Sequence, residues 1–122
     1  MKKVEAIIRP DRLQSVQDAL DGLGISGLTV TEVVGCGAQR GYTEVYRGAR
    51  ANISLQRKVK VEAVVPDASV DRVVAAIGEA ARTGEVGDGK IFILPVDDGV
   101  RIRTGERGDE IVQHRVPEHW GH

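Results

Sequence analysis

The sequence predicts a single α+β domain built from two β-α-β halves that follow one another along the chain. The chain has 122 residues, which is the usual size of one domain. A short apolar run ends at a Pro-Asp pair twice, at residues 10–11 and again at residues 66–67. Behind each pair stand apolar residues at helical spacing. The two sets correspond at one common offset: Leu13, Val16 and Leu20 with Val70, Val73 and Ile77.

The first half contains a strand, a helix and a second strand. Residues 4–9 are short and rich in branched side chains, which is typical of a strand. Pro10 ends that strand and can begin a helix, because the missing N–H of proline is tolerated at a helix entry. Gly24 is a natural stop for this helix. Residues 28–34 then predict the second strand.

The second half repeats this order. Residues 59–65 predict the third strand, the helix after Pro66-Asp67 ends at Thr83-Gly84, and residues 90–96 predict the fourth strand. Two β-α-β halves of this size predict a ferredoxin-like βαββαβ sandwich, in which both helices cover one face of an antiparallel sheet. The other face would be bare. If Ile7, Val30 and Val61 point that way, self-association is the economical way to cover them.

Two regions do not fit the repeat. Residues 35–57 form a long connection, rich in Gly and Arg, between the second and third strands. Loops of this length are usually functional or disordered. The domain ends near residue 108, and residues 109–122 form a polar extension that we expect to be mobile. Its histidines, at positions 114, 119 and 122, match no strong zinc spacing, so a disordered extension is favoured over a metal site.

The composition predicts a cytoplasmic domain and argues against nucleic-acid binding. Aromatic residues make up 3% of the chain and the formal net charge is -1, so neither base stacking nor phosphate-backbone attraction is expected. Cys36 is the single cysteine, which excludes an intrachain disulfide and predicts a small apolar filler. No signal-peptide pattern and no apolar run of membrane-spanning length is present.

A glycine-rich loop at residues 83–90 is the strongest candidate for chemistry. Gly84, Gly87 and Gly89 permit positive φ, and successive N–H groups in such a loop can form an anion-binding concavity beside Lys90. The spacing fits neither a P-loop nor a Rossmann loop. A tight helix-to-strand turn with solvated charges is an equally good reading of the pattern alone. Farther on, Arg101 and Arg103 would lie on the same side of an extended segment, suited to phosphate oxygens.

Several segments of the chain match the motifs of one known family in the right order. The decisive segment is Thr83-Gly84-Glu85-Val86-Gly87-Asp88-Gly89-Lys90-Ile91-Phe92. The other matching segments are Thr29-Val30-Thr31-Glu32-Val33, Thr43-Glu44-Val45-Tyr46-Arg47-Gly48, Lys58-Val59-Lys60-Val61-Glu62 and Arg101-Ile102-Arg103-Thr104-Gly105-Glu106. A set of motifs is far more specific than one glycine loop, and through this set residues 1 to about 108 resemble the nitrogen-regulatory P-II signal-transduction family.

The resemblance implies a homotrimer with ATP or ADP bound in the clefts between subunits. The implied nucleotide-binding residues come from the strands, from the base of the long loop, from the glycine loop and from the segment after the last strand. They are Ile7, Thr29, Gly35, Gly37, Gln39, Glu62, Val64, Gly87, Asp88, Gly89, Lys90, Arg101 and Arg103. Gln39 would also ligate Mg²⁺. Gln39 and Lys58 would bind 2-oxoglutarate, coupling the two ligands reciprocally.

The long connection resembles the family's T-loop, at about residues 37–56, which contacts partner proteins. The resemblance implies that Tyr46, Arg47 and Arg50 meet an ammonium channel or a nitrogen-metabolism enzyme or regulator. Any membrane association would therefore pass through a partner.

The chain departs from the family pattern at four positions. Ala51 stands where many members carry a nucleotidylylated tyrosine, and Ala49 where some carry a phosphorylated serine, so we expect regulation by ligand alone. Ala38 replaces a common arginine, which leaves the preference between ATP and ADP open. Arg50 replaces a common glutamate.

Two other functions compete with the P-II reading. A divergent P-II-like regulator of another transporter would respond to adenylate ratio, bicarbonate or metal. An enzyme, such as a slow ATPase, is disfavoured because no carboxylate or histidine is evidently placed to orient an attacking water.

Overall fold

A computed structural model describes residues 1–25, 27–38 and 53–112 and has the predicted ferredoxin-like order of elements. The strands are Lys2–Ile8 (β1), Thr29–Ala38 (β2), Ile53–Val65 (β3) and Lys90–Pro95 (β4). The helices are Leu13–Asp21 (α1) and Val70–Ala81 (α2), and each follows a short 3-10 turn that begins at or directly after the Pro of its Pro-Asp pair. The sheet has the order β2-β3-β1-β4, and every neighbouring pair of strands is antiparallel.

The core lies between the sheet and the two helices. Alternate residues of the central strands point into it, as expected for strands with one covered face. Each helix contributes the stripe that its spacing predicts. The fully buried large side chains are Val4, Ile8, Val16, Leu20, Val61, Val65, Val73 and Ile77.

Arg12 ties the two helices together at the end of the molecule where α1 begins and α2 ends. Its Nε and one terminal nitrogen donate to the backbone oxygen of Ala80 at 3.1 and 2.8 Å. Ala80 lies in the last turn of α2, where carbonyl oxygens lack helical partners and a cation is favoured. Arg12 therefore caps α2 from a distant part of the chain.

The uncovered face of the sheet is more polar than the sequence predicts. Ile7 lies on this face, but Val61 is 1% exposed and pairs with Val30, so both of these valines are on the helix side. The expectation for Val30 and Val61 is wrong because Val61 alternates in phase with Val59, Ala63 and Val65. We call the uncovered side the open face.

The open face carries a row of charges across β1 and β3. Lys3 lies 3.5 Å from Glu5 and 3.4 Å from Glu62, and Lys60 lies 3.4 Å from the other oxygen of Glu62. Partial burial alone would raise the pKa of Glu62, but hydrogen bonds from Lys3 and Lys60 outweigh it and lower that pKa below its ordinary value. Phe92, which is 49% exposed, is an apolar residue on this face at the β4 edge.

The hairpin of β2 and β3 is longer than the sequence predicts. The pattern ends the second strand at residue 34 and begins the third at residue 59, yet pairing continues through Gly35↔Gln56 to Ala38↔Ile53. Glycines suggest a loop here because they lack side chains, but backbone pairing does not need side chains. The rest of the predicted T-loop, residues 39–52, lies outside the described residues.

The chain after β4 folds back on the domain. Val100 pairs with Arg107, and Gly108–Ile111 form a 3-10 turn. Ile111 packs so close to Gly99 that a Cβ on that glycine would lie 2.6 Å from the Ile111 side chain. Ile111 of the predicted extension therefore contacts the domain, while residues 113–122, including the three histidines, lie outside the described part of the chain.

Candidate functional site

The glycine loop connects the end of α2 to the start of β4 and needs its glycines. Gly84, Gly87 and Gly89 have φ values of 89°, 100° and 98°, in the left-handed region that L side chains rarely adopt. A Cβ on Gly89 would also lie 1.7 Å from the backbone oxygen of Ile7. The loop is therefore pressed against β1 at Gly89, where no other residue fits.

The carboxylate of Asp88 lies at the centre of this loop. It accepts hydrogen bonds from the N–H of Thr83 at 2.9 Å, from the N–H of Gly84 at 2.8 Å and from the Thr83 hydroxyl. Arg9 donates to it through Nε at 3.0 Å. These hydrogen bonds, led by the Thr83 hydroxyl, hold the pKa of Asp88 well below its ordinary value against the opposing effect of burial. Asp88 is therefore an anion near neutral pH.

Two cations hold carbonyl oxygens of the loop. A terminal nitrogen of Arg9 donates to the Val86 oxygen at 2.7 Å, and Lys58 Nζ donates to the Gly87 oxygen. The N–H groups of Gly87 and Gly89 find no acceptor within the described residues. N–H groups without an acceptor in this part of the structure, in a loop that carries positive side chains on its carbonyl side, give the loop the chemistry of an anion site.

A cavity of about 320 Å³ lies on the helix side of the loop, between α2 and β4. Its walls are mostly apolar, with a few charged groups where the loop closes it. The lining residues are Ile7, Ile8, Gly78, Ala81, Arg82, Asp88, Gly89, Lys90 and Ile91.

The strand residues predicted for the site share the open face but form two separate groups. The first group lies beside the glycine loop. Gly35 packs against the Lys58 stem, since a Cβ there would lie 3.6 Å from Lys58 Cγ, and Ile7 pairs directly with Lys90. Gly37 continues the backbone of β2 from there and pairs with Ser54.

The second group lies at the far end of the sheet. Thr29 pairs with Glu62, and Val64 pairs with Lys3. Lys3 is four residues from Ile7 along β1, which is about 14 Å at the usual rise of a strand. In one copy of the chain, Val64 is therefore separated from the glycine loop by that length of strand, while Glu62, which pairs with Glu5, lies between the two.

Arg101 and Arg103 lie in a turn, so the extended arrangement considered from the sequence is not present. The backbone N–H of Arg101 donates to the backbone oxygen of Glu106 at 2.8 Å, and the backbone N–H of Gly105 donates to the backbone oxygen of Arg101 at 2.7 Å. The Arg101 guanidinium is paired with the Glu106 carboxylate at 2.7 Å. The turn forms because Gly105 adopts a φ of 76°.

Arg9 is a site residue that sequence reasoning missed. It stands at the end of the first predicted strand, where it indicates no more than the boundary before Pro10. Its partner Asp88 is 79 residues away, so no local spacing could reveal the pair. The predicted residues Gln39, Tyr46, Arg47 and Arg50 lie outside the described residues.

Neither a metal cluster nor a membrane helix occurs in the described part of the chain. No group of three or more His, Cys, Asp or Glu side chains there could hold a metal ion. Within the same residues, no helix has the length and apolar character needed to cross a membrane.

The fold and the glycine loop define a small ferredoxin-like domain with a candidate anion site at the edge of its sheet. The family described as "Nitrogen regulatory protein P-II" matches residues 1–106. The chain belongs to this family, so the resemblance seen in its motifs is confirmed.

Individual relatives agree with the family match. The Nitrogen regulatory protein P-II of Azospirillum brasilense is 53% identical over 112 residues, which are 92% of this chain and 100% of the relative. That of Microchaete diplosiphon is 59% identical over the same shares. The crystal structure of Arabidopsis thaliana PII bound to citrate has a TM-score of 0.73 and 47% identity, covering 89% of each chain.

Proposed function

We propose that this P-II protein binds ATP or ADP at the glycine loop and 2-oxoglutarate beside Lys58, and passes the signal to partner proteins. The observation that supports this most is the loop itself. Its Gly87 and Gly89 N–H groups lack acceptors among the described residues, and Arg9, Lys58 and Lys90 stand around it. Phosphate groups suit such a concavity. Lys58 would exchange the Gly87 oxygen for a carboxylate of 2-oxoglutarate, with Mg²⁺ held partly by Gln39.

The nucleotide would lie between subunits of a trimer. Thr29, Glu62 and Val64 lie along the open face away from the loop of their own chain, Val64 by about 14 Å of strand, and in the proposed trimer a second copy would bring its own Thr29, Glu62 and Val64 to the ligand. Arg101 and Arg103 would reach the phosphates from the neighbouring subunit. Arg101 would then release Glu106 or use its other nitrogens.

The output would pass through residues 37–56. Tyr46, Arg47 and Arg50 would contact an ammonium channel or a nitrogen-metabolism enzyme or regulator, without modification at Ala51. The protein would act in the cytoplasm as a regulator and not as an enzyme, and it would not bind nucleic acid.

A carboxylate compound bound to a related structure and the positive charge of Lys58 support the ligands in this proposal. The Arabidopsis thaliana PII structure has citrate bound, and citrate is a carboxylate compound, as 2-oxoglutarate is. Lys58 donates its ammonium group at the loop and is half-buried, so its charge is screened less than that of a fully exposed lysine.

Titration calorimetry with ATP, ADP and 2-oxoglutarate tests the binding. We expect 2-oxoglutarate to bind more tightly when Mg-ATP is present. The affinity for Mg-ATP should rise by the same factor when 2-oxoglutarate is present. Lys90→Met should lower the affinity for ATP about 10- to 100-fold, because one charged hydrogen bond is lost. Lys58→Met should weaken 2-oxoglutarate more than ATP. Lys2→Met, at the far end of β1, is the matched control. Absence of nucleotide binding by the wild type would refute the proposal, and nucleotide binding without 2-oxoglutarate binding would favour the divergent regulator.

Mixing two defective variants tests the shared cleft. Lys90→Met impairs the loop side and Val64→Glu impairs the far side, so each homotrimer should bind ATP poorly. In randomly mixed trimers, about a quarter of the clefts should receive both intact sides and recover binding. No recovery after verified subunit exchange would place all the residues of the site within one chain.

A further inference from the structure

We propose that Asp88 is a positioning residue that sets the shape of the glycine loop before a nucleotide arrives, and is not itself a contact for the nucleotide's phosphates. This inference rests on the proposed function of the loop as a phosphate site. The motif resemblance implies only that Asp88 belongs to the nucleotide site, and the present inference assigns its side chain a specific role there.

The Asp88 carboxylate has no acceptor capacity left for a ligand. Oδ1 accepts from the Thr83 hydroxyl and from Arg9 Nε, while Oδ2 accepts from the N–H groups of Thr83 and Gly84. Two carboxylate oxygens offer about four lone-pair positions. All four donors belong to the chain itself, so the side chain is saturated within the protein.

The same contacts fix the first part of the loop. The N–H groups of Thr83 and Gly84 both point towards the Asp88 carboxylate. Gly84 adopts a positive φ of 89° in this arrangement. The Thr83 hydroxyl, while donating to Asp88, accepts the N–H of Glu85 at 3.1 Å. Asp88 therefore holds the chain where it leaves α2.

Asp88 also controls the direction of the peptide between Val86 and Gly87 through Arg9. The guanidinium bound to Asp88 by Nε holds the Val86 oxygen with a terminal nitrogen. In a trans peptide the C=O and the following N–H point in opposite directions. The N–H of Gly87 is therefore turned away from Arg9.

Lys58 acts in the same way on the next peptide, since it holds the Gly87 oxygen. Together these contacts aim loop N–H groups without help from a ligand. A loop held in its binding shape loses less conformational freedom on binding. If the held shape becomes only a fraction of the ensemble, the apparent affinity falls by that fraction.

The sign of one substitution separates positioning from simple electrostatics. Asp88→Asn removes a negative charge near a phosphate site, so electrostatics alone predicts tighter ATP binding. An asparagine keeps one acceptor oxygen, but its NH₂ group cannot accept, so two of the four donors lose their partner. Positioning therefore predicts weaker binding, by about tenfold if the binding shape falls to a tenth of the population.

The test measures both the ligand-free loop and ATP affinity. Amide hydrogen exchange of the full-length protein without ligand should show Thr83 and Gly84 protected in the wild type and exchanging at least about tenfold faster in Asp88→Asn. Thr83→Ser keeps the hydroxyl and should retain ATP binding. Thr83→Val removes the hydroxyl and should weaken ATP binding, as Asp88→Asn does. Asp67→Asn, which makes the same charge change at the other end of α2, should change neither measurement.

Each outcome decides between roles. Tighter or unchanged ATP binding by Asp88→Asn overturns the proposal, and so does weaker binding with Thr83 and Gly84 still protected, which would make Asp88 a direct contact. If Asp88→Asn does not fold, the pair Thr83→Ser and Thr83→Val decides by the same two measurements. A wild type that binds no ATP refutes the proposed function instead, and the exchange pattern then still shows whether Asp88 shapes the loop.

Discussion

Gly89 gives the sharpest structural prediction, because two separate costs meet at one residue. Gly89→Ala places a methyl group on a residue with φ of 98° and 1.7 Å from the Ile7 oxygen. The left-handed conformation costs an L-residue about 1–2 kcal/mol. Since the nearest atom is backbone of β1, the start of β4 must also move, which costs about 1–3 kcal/mol as overpacking does. We expect a loss of about 2–5 kcal/mol in the free energy of unfolding.

Two other glycines separate these costs. Gly84 has φ of 89°, but a Cβ added there would meet nothing within 4 Å, so Gly84→Ala should cost the conformational part alone, about 1–2 kcal/mol. Gly78 lies inside α2, where an added Cβ would also meet nothing within 4 Å. Gly78→Ala should therefore stabilise the protein by about 0.5–1 kcal/mol.

Urea unfolding followed by circular dichroism measures all three variants. Every variant should be compared at one protein concentration, because the stability of an oligomer depends on it. Equal losses for Gly89→Ala and Gly84→Ala would refute the reasoning, since the contact with β1 would then contribute nothing. Loss of stability in Gly78→Ala would show that the helix position is not open.

Two further predictions concern charge. The lowered pKa of Glu62 makes its ion pairs stabilising above the ordinary value of 4.5, and this contribution is lost as the pH falls below that value. The free energy of unfolding should therefore fall less steeply in acid for Glu62→Gln than for the wild type, whereas the control Glu79→Gln on α2 should behave like the wild type. Parallel acid curves for Glu62→Gln and the wild type would contradict this. Arg12→Met removes the cap on the Ala80 carbonyl and should lower the free energy of unfolding in urea by about 1–2 kcal/mol. The matched exposed substitution Arg72→Met should lower it much less. Equal losses for the two variants would show that the cap is unimportant.

Much of the fold is predictable because its signals are local. The repeated Pro-Asp pairs set where each helix begins, and helical spacing correctly places Val16, Leu20, Val73 and Ile77 in the core. Strand length is less predictable at the β2–β3 hairpin. Gly35 and Gly37 give no side-chain signal, yet both pair across the hairpin through their backbone groups.

The candidate site is predictable in part. The glycine loop, Lys58 and Lys90 can be named from motifs, and the structure places them at one end of the sheet. The turn at Arg101 has no such signal, because it depends on pairing across residues 100–107 and on the φ of Gly105. The predicted residues at the far end of β3 share the open face but are separated from the loop by the length of the strand.

Residue types at short spacing and ordered motifs are enough to predict the order of elements, the buried side of each helix, the need for glycine in the loop and membership of the P-II family. Three features follow only from the folded chain: Val61 points towards the helices, Arg12 caps α2, and Arg9, Lys58 and Asp88 hold the loop together. Those contacts join residues far apart in the chain. Their partners are chosen by how the strands and helices pack, and no local pattern records that choice.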